Sequence, residues 1–209
     1  MVRRPRLTTS QMGCLVAVAF VLLRPAQASA EWQLKPFLGL TAGGGTTFFD
    51  SEQAAGRPNV VVGATGVLLG EVIGIDGDIS FSPGFFQSGD RPMPLVSRSS
   101  VTTFTGNIVV ALPRRMTEYT LRPYFVGGGG LMHVDIEDVS GIFPQASNLG
   151  TVDIGGGVTG FLTDRVGISW EVRRFSSARG KPNLTGDPEQ LSFWRANMSL
   201  AVRMTRRTR

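Results

Sequence analysis

The chain alternates between apolar and polar residues. Over stretches of about ten residues the two kinds change places at every step, the period-two pattern of a strand with unlike faces. From Leu191 to Met204 one parity reads Trp194, Ala196, Met198, Leu200, Val202, Met204, and the other reads Arg195, Asn197, Ser199, Ala201, Arg203. From Arg165 to Arg173, Val166, Ile168, Trp170 and Val172 share a face against Ser169, Glu171 and Arg173. Val72 to Phe81 sets Ile73, Ile75, Ile79 and Phe81 against Gly74, Asp76, Asp78 and Ser80. Thr151 to Leu162 and Val101 to Leu112 repeat the contrast, with Asp153 and Asn107 on their polar faces. Trp32 to Thr41, Asn59 to Leu69 and Tyr119 to His133 show it more weakly. Eight strands are predicted. No stretch carries the i, i+3, i+4, i+7 apolar spacing of a packed helix over three turns.

The connections alternate in length. Glu71, Pro113 to Glu118, and Thr163-Asp164 are short, whereas Gly43–Pro58, Ser82–Arg98, Asp135–Gly150 and Ser176–Gln190 are long and polar or rich in glycine and proline. Strict alternation of this kind suits a barrel with one end toward the periplasm and the other outside. The pattern predicts an all-β fold, an eight-stranded antiparallel up-and-down transmembrane β-barrel. Closure removes the sheet edges that hydrocarbon cannot satisfy.

The first thirty residues support export. Arg3, Arg4 and Arg6 precede an apolar run from Met12 to Leu23, and Ala28-Ser29-Ala30 places small residues before Glu31. Basic head, apolar middle and A-x-A exit describe a secretory signal, and the run is shorter than the roughly 20 residues of a spanning helix. The expected division is a cleaved signal at 1–30, a barrel at 31–204 and a basic tail at 205–209. Cys14, the only cysteine, lies inside the run with Gln11, Met12 and Gly13 before it, the wrong order for a lipoprotein. The chain has 21 basic and 16 acidic residues, and removing Arg3, Arg4, Arg6 and Arg24 leaves 17 against 16. The high overall pI is thus largely a property of the signal. The arginines between Arg203 and Arg209 are not interleaved with aromatics, so nucleic-acid binding is not expected.

Three segments carry a resemblance. Tyr124-Phe125-Val126-Gly127-Gly128-Gly129-Gly130, Gly155-Gly156-Gly157-Val158, and Asp164-Arg165-Val166-Gly167-Ile168 leading to Glu171-Val172-Arg173-Arg174-Phe175 resemble strands five to seven of the opacity-protein-like outer-membrane barrels. That group is related to the transmembrane domain of outer-membrane protein A. The resemblance implies eight strands, loops toward the outside, and roles in envelope integrity, adhesion or host contact, with no catalytic residues. It also implies partners: outer-membrane lipid and lipopolysaccharide, the barrel-assembly machinery, and host or envelope ligands at the loops. One departure is the C-terminus. Such barrels commonly end in an aromatic residue that the assembly machinery reads, whereas here the last apolar face ends at Met204, ahead of Thr205 to Arg209.

The polar parity names the expected lumen. Asp76, Asp78, Asp153, Glu171, Arg173 and Arg195 form a charge network, with Arg203 also facing inward and Glu171 expected opposite Arg195. An eight-stranded barrel has an interior just wide enough for side chains to fill, and charges removed from water must be paired. A plug is therefore expected, with a narrow gated ion path as the functional alternative. Trp32, Tyr119, Tyr124, Trp170 and Trp194 are candidates for the aromatic girdles at the membrane interfaces. His133, the sole histidine, stands near Asp135, Glu137 and Asp138 but lacks the ligands of a metal site and an adjacent nucleophile. No cofactor, metal or catalytic residue is expected. The glycine runs Gly43–Gly45, Gly127–Gly130 and Gly155–Gly157 lack the lysine and helix signal of a phosphate loop.

The leading reading is a non-enzymatic outer-membrane barrel whose four long loops carry contact with the outside. A soluble periplasmic barrel around a small apolar ligand is the alternative, and it would turn Trp170, Val172, Met198 and Leu200 inward. A lipid hydrolase depending on His133 ranks last. Sequencing the N-terminus of the chain recovered from envelope fractions is expected to begin at Glu31. A chain starting at Met1 would show a retained anchor.

Overall fold

The computed structural model describes residues 31–46, 58–86, 96–113, 116–117, 121–138, 145–177 and 190–204. Eight strands follow in chain order: β1 (Glu31–Thr46), β2 (Asn59–Leu69), β3 (Ile73–Pro83), β4 (Val96–Ala111), β5 (Leu121–Asp138), β6 (Gln145–Phe161), β7 (Val166–Ser177) and β8 (Leu191–Arg203). Each pairs antiparallel with the next, and β8 pairs with β1 to close the barrel. At the seam Gln33 stands opposite Arg203, Met204 N–H donates to the Trp32 carbonyl at 2.8 Å, and the Arg203 guanidinium pairs with Glu31. The expected signal, the basic tail and Tyr119 lie outside the described residues, as do 47–57, 87–95, 139–144 and 178–189 of the expected loops.

Side chains sort by parity. Trp170, Val172, Met198 and Leu200 are 58, 48, 49 and 49% exposed on the outer wall, while Ser169, Glu171, Arg173, Asn197 and Ser199 are buried inside. This is the inverse of a soluble barrel around an apolar ligand. The outward zone starts at the short-turn end and gives way to polar residues near Thr102, His133, Asn148, Arg174 and Ser192. On β5 it runs from Leu121 to Leu131, a length that matches the roughly 9–11 residues a tilted strand needs to cross hydrocarbon. Across β2 to β5 it includes Gly66, Gly77, Gly106 and Gly129 in cross-strand register, a belt without side chains.

Six of the strands, all but β2 and β8, run further at the long-loop end than the alternation predicts. β5 continues to Asp138 and β6 starts at Gln145, with Ile136 opposite Gln145, so most of the expected Asp135–Gly150 loop is paired strand. The reason is chemical. Beyond the apolar zone the two faces exchange character, with His133 and Asn148 outside and Met132, Val134 and Leu149 buried inside, so the parity that marks the wall-crossing part of the strand breaks there.

Ile108 lies midway along the outward apolar face of β4. Ile108→Arg is expected to destabilise the lipid-embedded barrel by about 2–4 kcal/mol, and Ser192→Arg at the zone's edge by about 0–1 kcal/mol. Denaturant titration in lipid vesicles measures both.

Candidate functional site: the barrel lumen

The lumen is filled in three layers. At the long-loop end Gly84, with φ of 68°, turns the chain after β3 so that Phe85 and Phe86 fold inward. Glycine adopts this left-handed conformation without the Cβ clash of other residues. The turn is held by Gly84 N–H to the Ser99 carbonyl (2.7 Å), Phe86 N–H to Ser99 Oγ (2.9 Å), and Asn59 Nδ2 to the Phe85 carbonyl (2.8 Å). Phe85 packs edge-on against Phe193, which stacks on Phe175, with centroids 5.2 Å apart in each pair. Val101, Met132, Val134, Leu149 and Leu191 complete an apolar plug.

Below it lies the charge layer. Arg173 on β7 donates to Glu171 on its own strand (2.6 and 2.9 Å), Asp153 on β6 (3.2 Å) and Asp76 on β3 (2.9 Å). Arg195 on β8 holds Asp78 on β3 in a two-pronged pair at 2.7 and 2.8 Å. Its guanidinium sits 4.6 Å from the Phe37 ring and 4.8 Å from that of Phe175. Both arginine side chains are fully buried. Neutral donors complete the carboxylates: Asn107 to Asp76 (2.7 Å), Thr65 to Asp78 (2.8 Å), and Tyr124 to Glu171 (2.8 Å).

All six residues expected in the charge network are therefore buried in one connected layer, but their pairing differs from the expected one. Glu171 stands opposite Asn197, not Arg195, and Arg173 stands opposite Arg195. The expected ion pair is still made on the diagonal, with Arg195 Nη2 3.6 Å from Glu171 Oε1. Two guanidiniums directly across a strand pair repel, so each turns toward acids from β3.

The glycine run Gly155–Gly157 makes room for this layer. Gly155 faces Arg173 across β6 and β7, and a Cβ there would collide with the arginine's Cγ. A Cβ on Gly157 would meet the Tyr124 hydroxyl.

Of the expected girdle aromatics, Trp32, Trp170 and Trp194 project outward, and Arg174 lies over the Trp194 ring at 5.3 Å. Tyr124 does not. It shares its parity with Arg122 and Val126 and points inward, where its hydroxyl finds Glu171, while Phe125 takes the outward place. His133 is outside the lumen, its Nδ1 2.8 Å from Asn148 Oδ1 on β6.

The third layer lies at the short-turn end. Val67, Leu69, Val109, Ala111 and Val126 form an apolar ring around an open vestibule of about 650 Å³. Sequence reasoning leaves out Lys35 and Arg122, which line it. Their parity is readable, since Lys35 alternates with Trp32, Pro36 and Leu38 on β1. Arg122 Nε donates to the Leu112 carbonyl (3.1 Å), and its Nη2 reaches the carbonyls of Gly70 and Glu71, so it staples two short turns together.

No protein-family model matches the chain, and no curated protein does. Solved structures do. Neisserial surface protein A superposes with a TM-score of 0.61 at 10% identity, over 83% of this chain and 97% of that one. The outer membrane protein OprG from Pseudomonas aeruginosa gives 0.51 at 11% identity, over 86% and 98%. Ail, the attachment invasion locus protein of Yersinia pestis, in complex with the heparin analogue sucrose octasulfate, gives 0.50 at 10% identity, over 82% and 98%. The fold is that of an eight-stranded outer-membrane barrel. With about one residue in ten identical, the likeness is one of fold.

Removing one partner of a buried ion pair strands the other charge. Asp78→Asn is expected to cost about 3–5 kcal/mol of stability, and Asp78→Leu combined with Arg195→Met to restore most of it. Denaturant unfolding of the two variants in vesicles checks this.

Proposed function

We propose that this chain is a bacterial outer-membrane protein whose barrel is a scaffold and whose long connections carry contact with the surroundings. The observation that carries the reading is the division of the barrel into an apolar wall and a filled lumen. Exposed Leu38, Ile75, Ile108, Phe125 and Ile154 suit hydrocarbon, while the aromatic plug and the charge layer occupy the interior where a pore would run. On this reading the short turns face the periplasm and the four long connections face outward. The polar outer ends of β5 and β6 would stand clear of the membrane. The reading is non-enzymatic. His133, on which a hydrolase would depend, bonds Asn148 on the outer face of the wall. Lipid and lipopolysaccharide would surround the wall, and the assembly machinery would insert it. Ligands at the loops would be surface molecules, and the sulfated sugar seen with Ail is one kind this reading accommodates.

The test combines fractionation with labelling. The protein is expected in outer-membrane fractions, running compactly on an unheated gel and more slowly after boiling. A cysteine placed in the last long connection, Leu184→Cys, is expected to react with an impermeant maleimide on intact cells. Release as a soluble periplasmic species, or labelling only after permeabilisation, would overturn the reading.

A further inference from the structure

The vestibule at the short-turn end contains a cation that makes no direct ion pair with the charge layer. Lys35 is 6% exposed, and its ammonium donates to Thr159 Oγ1 at 3.0 Å and lies 4.7 Å from the centre of the Tyr124 ring. Among the described residues no carboxylate forms an ion pair with it. The acids lining the inner end of the same cavity are engaged elsewhere. Asp76 is held by Arg173 and Asn107, and Glu171 by Arg173, Tyr124 and Asn197. Arg122, on the same wall, gives Nε and Nη2 to backbone carbonyls and keeps its Nη1 hydrogens. Buried Gln33 Oε1, also on the lining, has no hydrogen-bond donor. Glu171 and Asp76 act on the ammonium only through space, and of its three hydrogens one is placed, on Thr159.

Much of the remaining wall is apolar. Val67, Leu69, Val109, Ala111 and Leu162 face the same space, whose volume of about 650 Å³ is that of a small-molecule site. Exposed Thr163 and Asp164, on the turn between β6 and β7, stand at its rim. We propose that the vestibule binds a small organic anion, with a carboxylate or phosphate head at Lys35 and Arg122 and an apolar body against the ring of Val67, Leu69, Val109 and Ala111. A hydroxyl on the head would supply the donor that Gln33 Oε1 lacks. The site is separate from the long loops, the charge layer forms its inner end, and the plug above keeps it open at one end only.

The test uses the barrel in nanodiscs of zwitterionic lipid, titrated with hexyl phosphate, hexanoate, inorganic phosphate and hexanol while backbone amide shifts are followed. Hexyl phosphate and hexanoate are expected to move the amides of Leu69, Ala111 and Thr159 saturably, at least tenfold more tightly than inorganic phosphate or hexanol. Lys35→Met is expected to weaken both organic anions at least tenfold. Ala111→Phe, which fills the apolar side, is expected to weaken them while leaving inorganic phosphate unchanged, and it keeps the question open if Lys35→Met does not fold. Equal binding of hexanol would reduce the site to an apolar hole, and equal binding of inorganic phosphate to a bare anion hole. Either result, or no saturable shift, would overturn the proposal.

Discussion

Arg173 and Arg195 face each other across β7 and β8, and the rest of the lumen is arranged around that conflict. Two guanidiniums at directly opposed cross-strand positions repel one another, and burial removes the water that would screen them. The resolution comes from β3, on the opposite wall, which sends Asp76 to one arginine and Asp78 to the other. The ion pairs therefore span the barrel and do not merely run along the sheet. Asn107, Thr65 and Tyr124 supply the remaining donors, and Gly155 leaves the space that Arg173 needs. A small barrel filled in this way has walls tied to each other through its centre.

How much of this is legible in the sequence depends on what kind of signal each feature leaves. Parity is local, so the inward placement of Asp76, Asp78, Asp153, Glu171, Arg173 and Arg195 follows from counting residues along single strands. Pairing across strands is not local. The step from Glu171 facing Arg195 to Glu171 facing Asn197 is set by the register between β7 and β8, and nothing in either strand alone records it. Tyr124 is misplaced because an aromatic near a strand end suits an interface as well as a lumen, and the glycines that follow it blur the alternation. The outer ends of β5 and β6 read as loop for a related reason. Once the apolar parity moves from the outer face to the inner, as at Met132 and Val134, the pattern followed along the wall is interrupted.

The layering assigns different work to different levels. The phenylalanine plug needs only close packing, and it caps the charge layer so that the arginines stay away from water on that side. Arg122 binds the short turns from within, through the carbonyls of Leu112, Gly70 and Glu71. The outward belt of Gly66, Gly77, Gly106 and Gly129 runs past Asp76 and Asp78, so across β2 to β5 the wall carries no side chain outside at the height where β3 carries charge inside.

The order of residues in the lumen also sets an order in time. Asp76 and Asp78 belong to the third strand, but the arginines that neutralise them arrive with the seventh and eighth, 97 and 117 residues later. A chain delivered from its N-terminus therefore presents buried-to-be acids long before their bases exist. Until the last strand is in place those acids favour water over lipid, and the half-built sheet has reason to stay out of the bilayer. The pairing of Asp78 and the closure of the barrel become one event, because Arg195 arrives on the strand that meets β1.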